Sequence, residues 1–145
     1  MKVLAESWQF WAVLSAAFAA LTAIFAKIGI ANVNSDLATF IRTMVILLLT
    51  ATIVAASGQL RSAGAIPAQT WLFLVLSGLA TGASWLCYFR ALKIGDAARV
   101  APIDKLSVVM VAVFAALFLG ERLSVTNWVG VAMIAGGAVL VALQV

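Results

Sequence analysis

Hydroxyl-bearing residues recur at helical spacing near the middle of this sequence of 145 residues. They are Ser77, Thr81, Ser84 and Tyr88, and Trp85 lies among them. Intervals of three and four residues place side chains on one face of a helix. Where water is absent, such groups need a hydrogen-bond partner, either a polar solute or a carbonyl of their own helix. The spacing predicts a polar stripe but does not decide whether its partners are a solute or the carbonyls of its own helix.

Two further polar stripes lie earlier in the sequence. The stronger one comprises Thr39, Thr43, Thr50 and Ser57, and the thinner one includes Ser15 and Thr22. Taken singly, each stripe fits hydrogen bonding within its own helix better than the lining of a cavity. Because stripes occur in several helices, the lining of a cavity becomes a stronger explanation than it is for any one stripe alone.

Three charged residues, Arg42, Arg90 and Asp104, lie deepest in the predicted helices. A carboxylate at membrane depth costs several kcal/mol unless it is paired. Asp104 could therefore pair with Arg42 or Arg90 and serve as a gate, a proton carrier or an anchor for a charged substrate. The alternative is that the charged residues, Lys27 and Lys93 included, are interfacial ion pairs or long side chains that reach the membrane surface.

The residue inventory excludes several kinds of chemistry. The sequence has no histidine and one cysteine, Cys87, so it cannot form an intramolecular disulfide, a Cys/His metal site or a Ser/His/Asp triad. We expect no enzymatic reaction, no cofactor and no metal ion, and we expect Cys87 to pack. The net charge is +4, but the basic residues are scattered at helix ends, so nucleic acid is not an expected partner.

Five long apolar blocks must position these residues, at 8–29, 37–57, 70–92, 100–119 and 126–143. A helix needs about 20 mostly apolar residues to span the hydrocarbon core, and 66% of the sequence is hydrophobic against 10% charged. Unbroken apolar runs such as 44–49 lack the alternation of a barrel strand, which leaves helices. The sequence predicts an all-α integral membrane protein in contact with lipid, a bundle of five transmembrane helices in a single domain of residues 1–145.

The basic residues also predict the orientation in the membrane. With five spans, the side of the amino terminus carries three of them and the opposite side six. The first group is Lys2, Arg61 and Arg122, and the second is Lys27, Arg42, Arg90, Lys93, Arg99 and Lys105. The positive-inside rule favours an external amino terminus in a plasma (inner) membrane. Insertion in both orientations remains open, because several of the six lie at the edges of the apolar blocks.

Glycines mark the expected helix contacts. Gly78 and Gly82 form a GxxxG spacing, and Gly130 and Gly137 give the fifth block a smooth surface without interior charge. Small residues allow membrane helices to approach closely. We therefore expect these glycines to pack against neighbouring helices.

Two segments carry a family resemblance. Residues 118–140 read FLGERLSVTNWVGVAMIAGGAVL, and residues 85–105 read WLCYFRALKIGDAARVAPIDK. The first resembles the closing hairpin of an EamA domain in the drug/metabolite transporter superfamily. The second resembles the end of that family's third helix, its short turn and the proline-containing start of its fourth helix. The five-span count agrees, and the resemblance covers essentially the whole chain.

The resemblance implies one half of a transporter. Most members of the superfamily carry two such domains in tandem, and these are inverted in the membrane because the number of spans is odd, so that they enclose a central path. This chain has one copy, as in the short, single-domain bacterial and archaeal branch. A complete path would require a second copy inserted the other way or a paralogous chain.

One departure from related proteins limits the substrate. The small multidrug resistance proteins have a glutamate in the middle of their first helix, whereas residues 16–24 contain no carboxylate and Glu6 is too close to the terminus to replace it. Export of cationic drugs by proton exchange is therefore not supported. Glu121 matches the family's Leu-Gly-Glu element, and its position between the last two blocks indicates a structural role with Arg122 or nearby amide groups.

These observations favour a transporter subunit that moves a small metabolite by alternating access, as an antiparallel homodimer or a heterodimer. The expected substrate path is lined by Thr43, Thr81, Ser84, Trp85 and Tyr88. The expected charged gate consists of Arg42, Arg90 and Asp104. Two alternatives remain open: a non-transporting accessory or scaffold protein, and a flippase component for lipid-linked or amphipathic substrates.

Overall fold

The computed structural model describes residues 7–143, and Lys2 and Glu6 lie outside them. Helices make up most of this range, and no strand occurs within it. The helices are α1 (Trp8–Gly29), α2 (Ser35–Ala56), α3 (Ala68–Ile94), α4 (Ala97–Asp104), α5 (Leu106–Phe118) and α6 (Val125–Ala142), and a 3₁₀ helix, Gln59–Ala65, connects α2 to α3.

Five helical segments are long and apolar enough to cross a membrane. They are α1, α2, α3, the succession of α4 and α5 over Ala97–Phe118, and α6. Large apolar side chains such as Leu48, Leu117 and Met133 are 67%, 70% and 72% exposed, as expected of surfaces that contact lipid. The predicted all-α membrane fold with five apolar helices is confirmed.

The fourth span differs from the single helix expected at 100–119. It begins at Ala97 and is interrupted at Lys105, so Pro102 lies inside α4 and not in a first turn. Proline has no N–H to donate and its ring crowds the preceding turn, which weakens a helix around it. Where α5 begins, the N–H of Val108 donates to the carbonyl of Lys105 at 3.0 Å, a tighter turn than that of an α-helix. The span is therefore two helices in series.

Polar caps and glycines determine where several helices begin and end. The Asn34 side chain accepts a hydrogen bond from the N–H of Asp36 at 2.8 Å and so caps the first turn of α2. Gly58 follows α2 and Gly120 follows α5, with φ of 71° and 68°. This left-handed region favours glycine because it has no Cβ.

Residues 26–93 form one compact unit with a small buried core. Ile30 and Leu92 are fully buried there, and Ala26, Phe89 and Thr39 are also buried. The Thr39 hydroxyl donates to a carbonyl of its own helix, so its burial leaves no unsatisfied donor.

Two lysines join the carboxyl ends of α1 and α3 in this unit. Lys27 donates to the carbonyl of Leu92 at 2.8 Å, and Lys93 donates to the carbonyl of Ile30 at 3.0 Å and to that of Val33. Each ammonium group thus lies where the other helix ends, and unpaired carbonyls there carry partial negative charge. The structure thus gives both lysines a backbone-capping contact that was not expected from the sequence.

The second compact unit comprises residues 1–25 and 94–145, of which 7–25 and 94–143 are described. Here α4 and α5 both pack on α6. Ala115 of α5 and Ala138 of α6 are buried, and small side chains of this kind let membrane helices approach closely. The Arg99 side chain donates to the carbonyl of Ala142 at 3.1 Å and so caps the end of α6.

Candidate functional site

A groove lies between α2 and α3, within the unit formed by residues 26–93. Its volume is about 390 Å³, within the range of roughly 300–1,000 Å³ typical of small-molecule sites. The lining residues are Arg42, Thr43, Ile46, Leu74, Ser77, Gly78, Thr81, Gly82 and Trp85. One cation, three hydroxyl groups and one indole thus share the groove with aliphatic side chains.

The spacing of the lining residues on α3 explains the shape of the groove. From Leu74 to Trp85 they follow the three- and four-residue intervals of one helix face. At a rise of about 1.5 Å per residue, this face extends roughly 16 Å along the helix axis. Gly78 and Gly82 place no side chain on it, and a Cβ built at either position meets nothing within 4 Å. The two glycines therefore leave the space that the groove occupies.

The Arg42 guanidinium stacks on the Trp85 indole within this groove. Its Cζ atom lies 3.3 Å from the Trp85 ring centroid and 5.9 Å from that of Phe89. Both Arg42 and Trp85 are half-buried. A cation over an indole is attracted by the ring quadrupole, an interaction worth about 0.5–2 kcal/mol. No carboxylate within residues 7–143 pairs with Arg42.

Two further aromatic rings hold the indole in place. The ring centroids of Trp85 and Tyr88 lie 5.5 Å apart at 86°, and those of Trp85 and Phe89 lie 5.8 Å apart at 61°. Edge-to-face pairs of this kind are worth about 0.5–1.5 kcal/mol beyond the area they bury. Phe89 is only 3% exposed. The platform beneath Arg42 is therefore anchored in the core.

The two threonine hydroxyls that line the groove donate their hydrogens within their own helices. Thr43 donates to the carbonyl of Thr39 and Thr81 to that of Ser77, each at 2.8 Å. These two threonines therefore both bond to their own helix and line the groove, although from the sequence alone the two were alternatives. Because each hydrogen is used, the threonine oxygens have only lone pairs left for a solute. They are hydrogen-bond acceptors.

Three of the five predicted path residues, Thr43, Thr81 and Trp85, line the groove. Tyr88 supports the indole, and Ser84 is exposed on α3, but neither is among the lining residues. The aliphatic lining residues, Ile46 and Leu74, were missed because their side chains carry no polar signal. Their positions one turn from Arg42 and Gly78 could have identified them.

Two of the three predicted gate residues form exposed ion pairs. Arg90 Nη2 lies 3.2 Å from Asp36 Oδ1, with the side chains 68% and 53% exposed, and Lys105 Nζ lies 3.5 Å from Asp104 Oδ2. The partner expected for Arg90 was Asp104 and not Asp36, although an acidic residue in the first turn of a helix is favourable. The gate formed by Arg42, Arg90 and Asp104 stays a prediction.

The predicted packing glycines lie in open surroundings. A Cβ built at Gly130 or Gly137, as at Gly78 or Gly82, meets nothing within 4 Å. No neighbouring helix among the described residues approaches them this closely, so their packing stays a prediction. The expectation that Cys87 packs is wrong for the described chain, because this side chain is exposed on α3.

Comparison with known proteins assigns the chain to a family. Residues 6–143 match the model of the EamA-like transporter family. A protein of Sinorhizobium sp, named "Uncharacterized transporter in cobO 3'region", is 70% identical over 139 residues, which cover 96% of this chain and 99% of that relative. No solved structure matches the chain. The family and this relative point to transport and not to catalysis, and the chain belongs to the EamA-like transporter family of multi-pass membrane proteins.

Proposed function

We propose that this chain is a transporter subunit that moves a small metabolite across the plasma membrane by alternating access, with the α2–α3 groove as part of the path. The observation that carries the proposal is the content of the groove, where a half-buried arginine, an indole and hydroxyl acceptors lie between two membrane-spanning helices. Polar groups within a membrane are costly unless they face a partner or a water-filled space. A solute path provides both.

A second chain completes the path in this proposal. Only 6% of the most apolar 18-residue stretch of each span is buried. Lipid can cover exposed leucines, but it cannot supply hydrogen bonds to Ser77 and Ser84 at membrane depth. Because the number of spans is odd, a second copy or a paralogue in the opposite orientation gives the inverted arrangement of many transporters. The open surfaces at Gly130 and Gly137 suit close approach of a partner helix.

Arg42, Arg90 and Asp104 form the charged gate in this proposal. The Arg90–Asp36 pair is exposed and therefore contributes little stability, so Arg90 can exchange its partner as the path opens and closes. Replacement of Arg90 by Gln, or of Asp104 by Asn, is expected to slow transport. Uptake or efflux that is unchanged in both variants would remove the gate.

The groove favours transport over a scaffold role. A scaffold that packs through glycine faces needs no arginine within a cavity, and the cost of placing one there would be unexplained. A groove of about 390 Å³ with acceptors and a cation is instead of the size and chemistry of a solute site.

Exchange in proteoliposomes tests the proposal. Vesicles that contain the wild-type protein are loaded with an isotope-labelled metabolite extract and diluted into unlabelled extract, and mass spectrometry follows loss of label. Gly82→Leu fills the groove and should stop the exchange. Ala83→Leu adds the same side chain at an exposed position outside the lining and should leave it intact. Absence of exchange by the wild-type protein, or equal exchange by the two variants, would contradict the proposal.

A further inference from the structure

Arg42 lacks a counter-ion within its compact unit. Residues 26–93 contain five basic side chains and a single carboxylate, that of Asp36. Arg90 holds this carboxylate at 3.2 Å, whereas the contacts of Arg42 are with the rings of Trp85 and Phe89. The groove therefore has a positive end with no anion of its own.

The position of Arg42 along α2 makes this missing charge costly. It lies seven residues after Ser35, where the helix begins, and thus about 10 Å along the axis. A guanidinium within a membrane-spanning helix is costly unless an anion or water compensates it, and the indole contact offsets only part of that cost. The arrangement is best balanced when a ligand brings negative charge into the groove.

The stacking geometry indicates the form of that negative charge. At 3.3 Å from the ring centroid, Cζ is too close for an edge-on guanidinium, so we infer that its face lies against the indole and that the N–H donors around its edge are not directed at the ring. These donors form a planar fork that matches the two oxygens of a carboxylate. Stacking also fixes the plane of the fork in advance, so less side-chain entropy is lost when a ligand binds.

Two of the three hydroxyl groups in the groove, those of Thr43 and Thr81, indicate what the rest of the ligand carries. Thr43 and Thr81 offer acceptor oxygens only, because their hydrogens are used within the helices. A ligand that reaches them must donate hydrogen bonds. We propose that the groove recognises a small organic carboxylate that also carries hydroxyl or amide donors, an assignment that rests on the proposed function because it takes the groove as the solute path.

Thiol reactivity inside the groove tests this assignment. Ser77→Cys in a Cys87→Ala background is reacted, in phosphate-free dodecyl maltoside micelles, with two methanethiosulfonates of similar size. One carries a negative ethylsulfonate and the other a positive ethyltrimethylammonium group, and both rates are divided by those with mercaptoethanol. The normalised rate ratio is expected to favour the anionic reagent about fourfold, as one nearby positive charge predicts.

Two substitutions show whether Arg42 is the source of this preference. Arg42→Gln should remove it, whereas Arg61→Gln makes the same charge change in the 3₁₀ helix outside the lining and should preserve it. The overall fold of each variant is checked by circular dichroism and gel filtration. A ratio near one in the parent protein, or an unchanged ratio in Arg42→Gln, would overturn the assignment.

A competition experiment identifies the anion class. An excess of sodium gluconate should slow labelling of the cysteine more than an equal concentration of neutral gluconamide, and equal protection would overturn the carboxylate assignment. If added phosphatidylglycerol abolishes the charge preference, Arg42 binds a lipid phosphate and the assignment is likewise wrong. The labelling rates do not depend on transport. The carboxylate assignment can therefore be wrong while exchange in proteoliposomes is observed, and it can be right while no exchange is observed.

Discussion

The Arg42 guanidinium lies 3.3 Å from the centroid of the Trp85 indole, and this contact joins α2 to α3. It brings the half-buried cation of the groove onto an aromatic platform that Phe89 anchors in the core. In the proposed function, the edge of the guanidinium is the part that meets the solute. The Arg42–Trp85 pair is therefore both a contact between two helices and a central part of the proposed solute site.

The Arg42–Trp85 contact should appear as a coupling energy. In a double-mutant cycle with Arg42→Gln and Trp85→Leu, unfolding in detergent should give a coupling of about 0.5–2 kcal/mol. The matched cycle with Arg61→Gln and Trp71→Leu should give a value near zero, because no cation–π contact joins these two described side chains. Equal values in the two cycles would argue against a specific stack.

Lys93 should contribute to stability through the carbonyls that it caps. Lys93→Met keeps the apolar stem but removes the hydrogen bonds to Ile30 and Val33, and we expect the free energy of unfolding to fall by about 1 kcal/mol. Lys105→Met is the control, since Lys105 forms a partly exposed ion pair with its neighbour Asp104, and this substitution should cost less than about 0.5 kcal/mol. Thermal unfolding in detergent measures both, and a larger loss from Lys105→Met would contradict the capping role.

The Asp36–Arg90 pair should matter more for transport than for stability. Because both side chains are exposed, Asp36→Asn should change the free energy of unfolding by less than about 1 kcal/mol. If the pair belongs to the gate, the same variant should slow exchange in proteoliposomes. Asp36→Arg combined with Arg90→Asp should restore part of the rate, and only part, because an arginine in the first turn of α2 opposes the helix dipole. If the double variant exchanges no faster than Asp36→Arg alone or Arg90→Asp alone, the result contradicts a role of this pair in the gate.

The fold could be predicted from the sequence because the thickness of the hydrocarbon core sets the length of each apolar block. Apolar blocks of about 20 residues allow little besides spanning helices. The interruption at Lys105 was not expected, because a helix that begins at residue 100 has Pro102 in its first turn, where proline is tolerated, whereas the helix begins at Ala97. That starting point follows from the short connection after Lys93 and is hard to read from hydropathy alone.

The site could be predicted only in part, because it depends on how α2 and α3 are aligned. Periodicity placed Thr43 and Thr81 on polar faces and Trp85 beside one of them, and all three line the groove. Periodicity within one helix cannot show that Arg42 of α2 meets Trp85 of α3, since that contact depends on the packing of one helix beside the other. The lysine caps at Leu92 and Ile30 likewise depend on tertiary structure, as does the choice of Asp36 as the partner of Arg90.

Orientation in the membrane can be read from a single engineered cysteine. Ser62 lies in the 3₁₀ helix between α2 and α3, on the side predicted to be external. In a Cys87→Ala background, Ser62→Cys should react with an impermeant maleimide added to intact cells. Labelling of a fraction of the molecules indicates antiparallel homodimers, and labelling of all of them indicates a partner chain. Protection of every molecule until the membrane is permeabilised would contradict an external amino terminus.

Chemical blockage of the groove tests the path most directly. Thr81→Cys, in a Cys87→Ala background, is labelled in proteoliposomes with a bulky impermeant maleimide, and exchange of metabolites is measured before and after labelling. The control is Leu79→Cys, two residues away on α3, exposed and outside the lining. We predict that the cysteine at position 81 reacts and that its modification stops exchange, whereas exchange by the Leu79→Cys protein persists after the same treatment. Full exchange by protein whose groove cysteine is completely modified would show that the solute does not pass between α2 and α3.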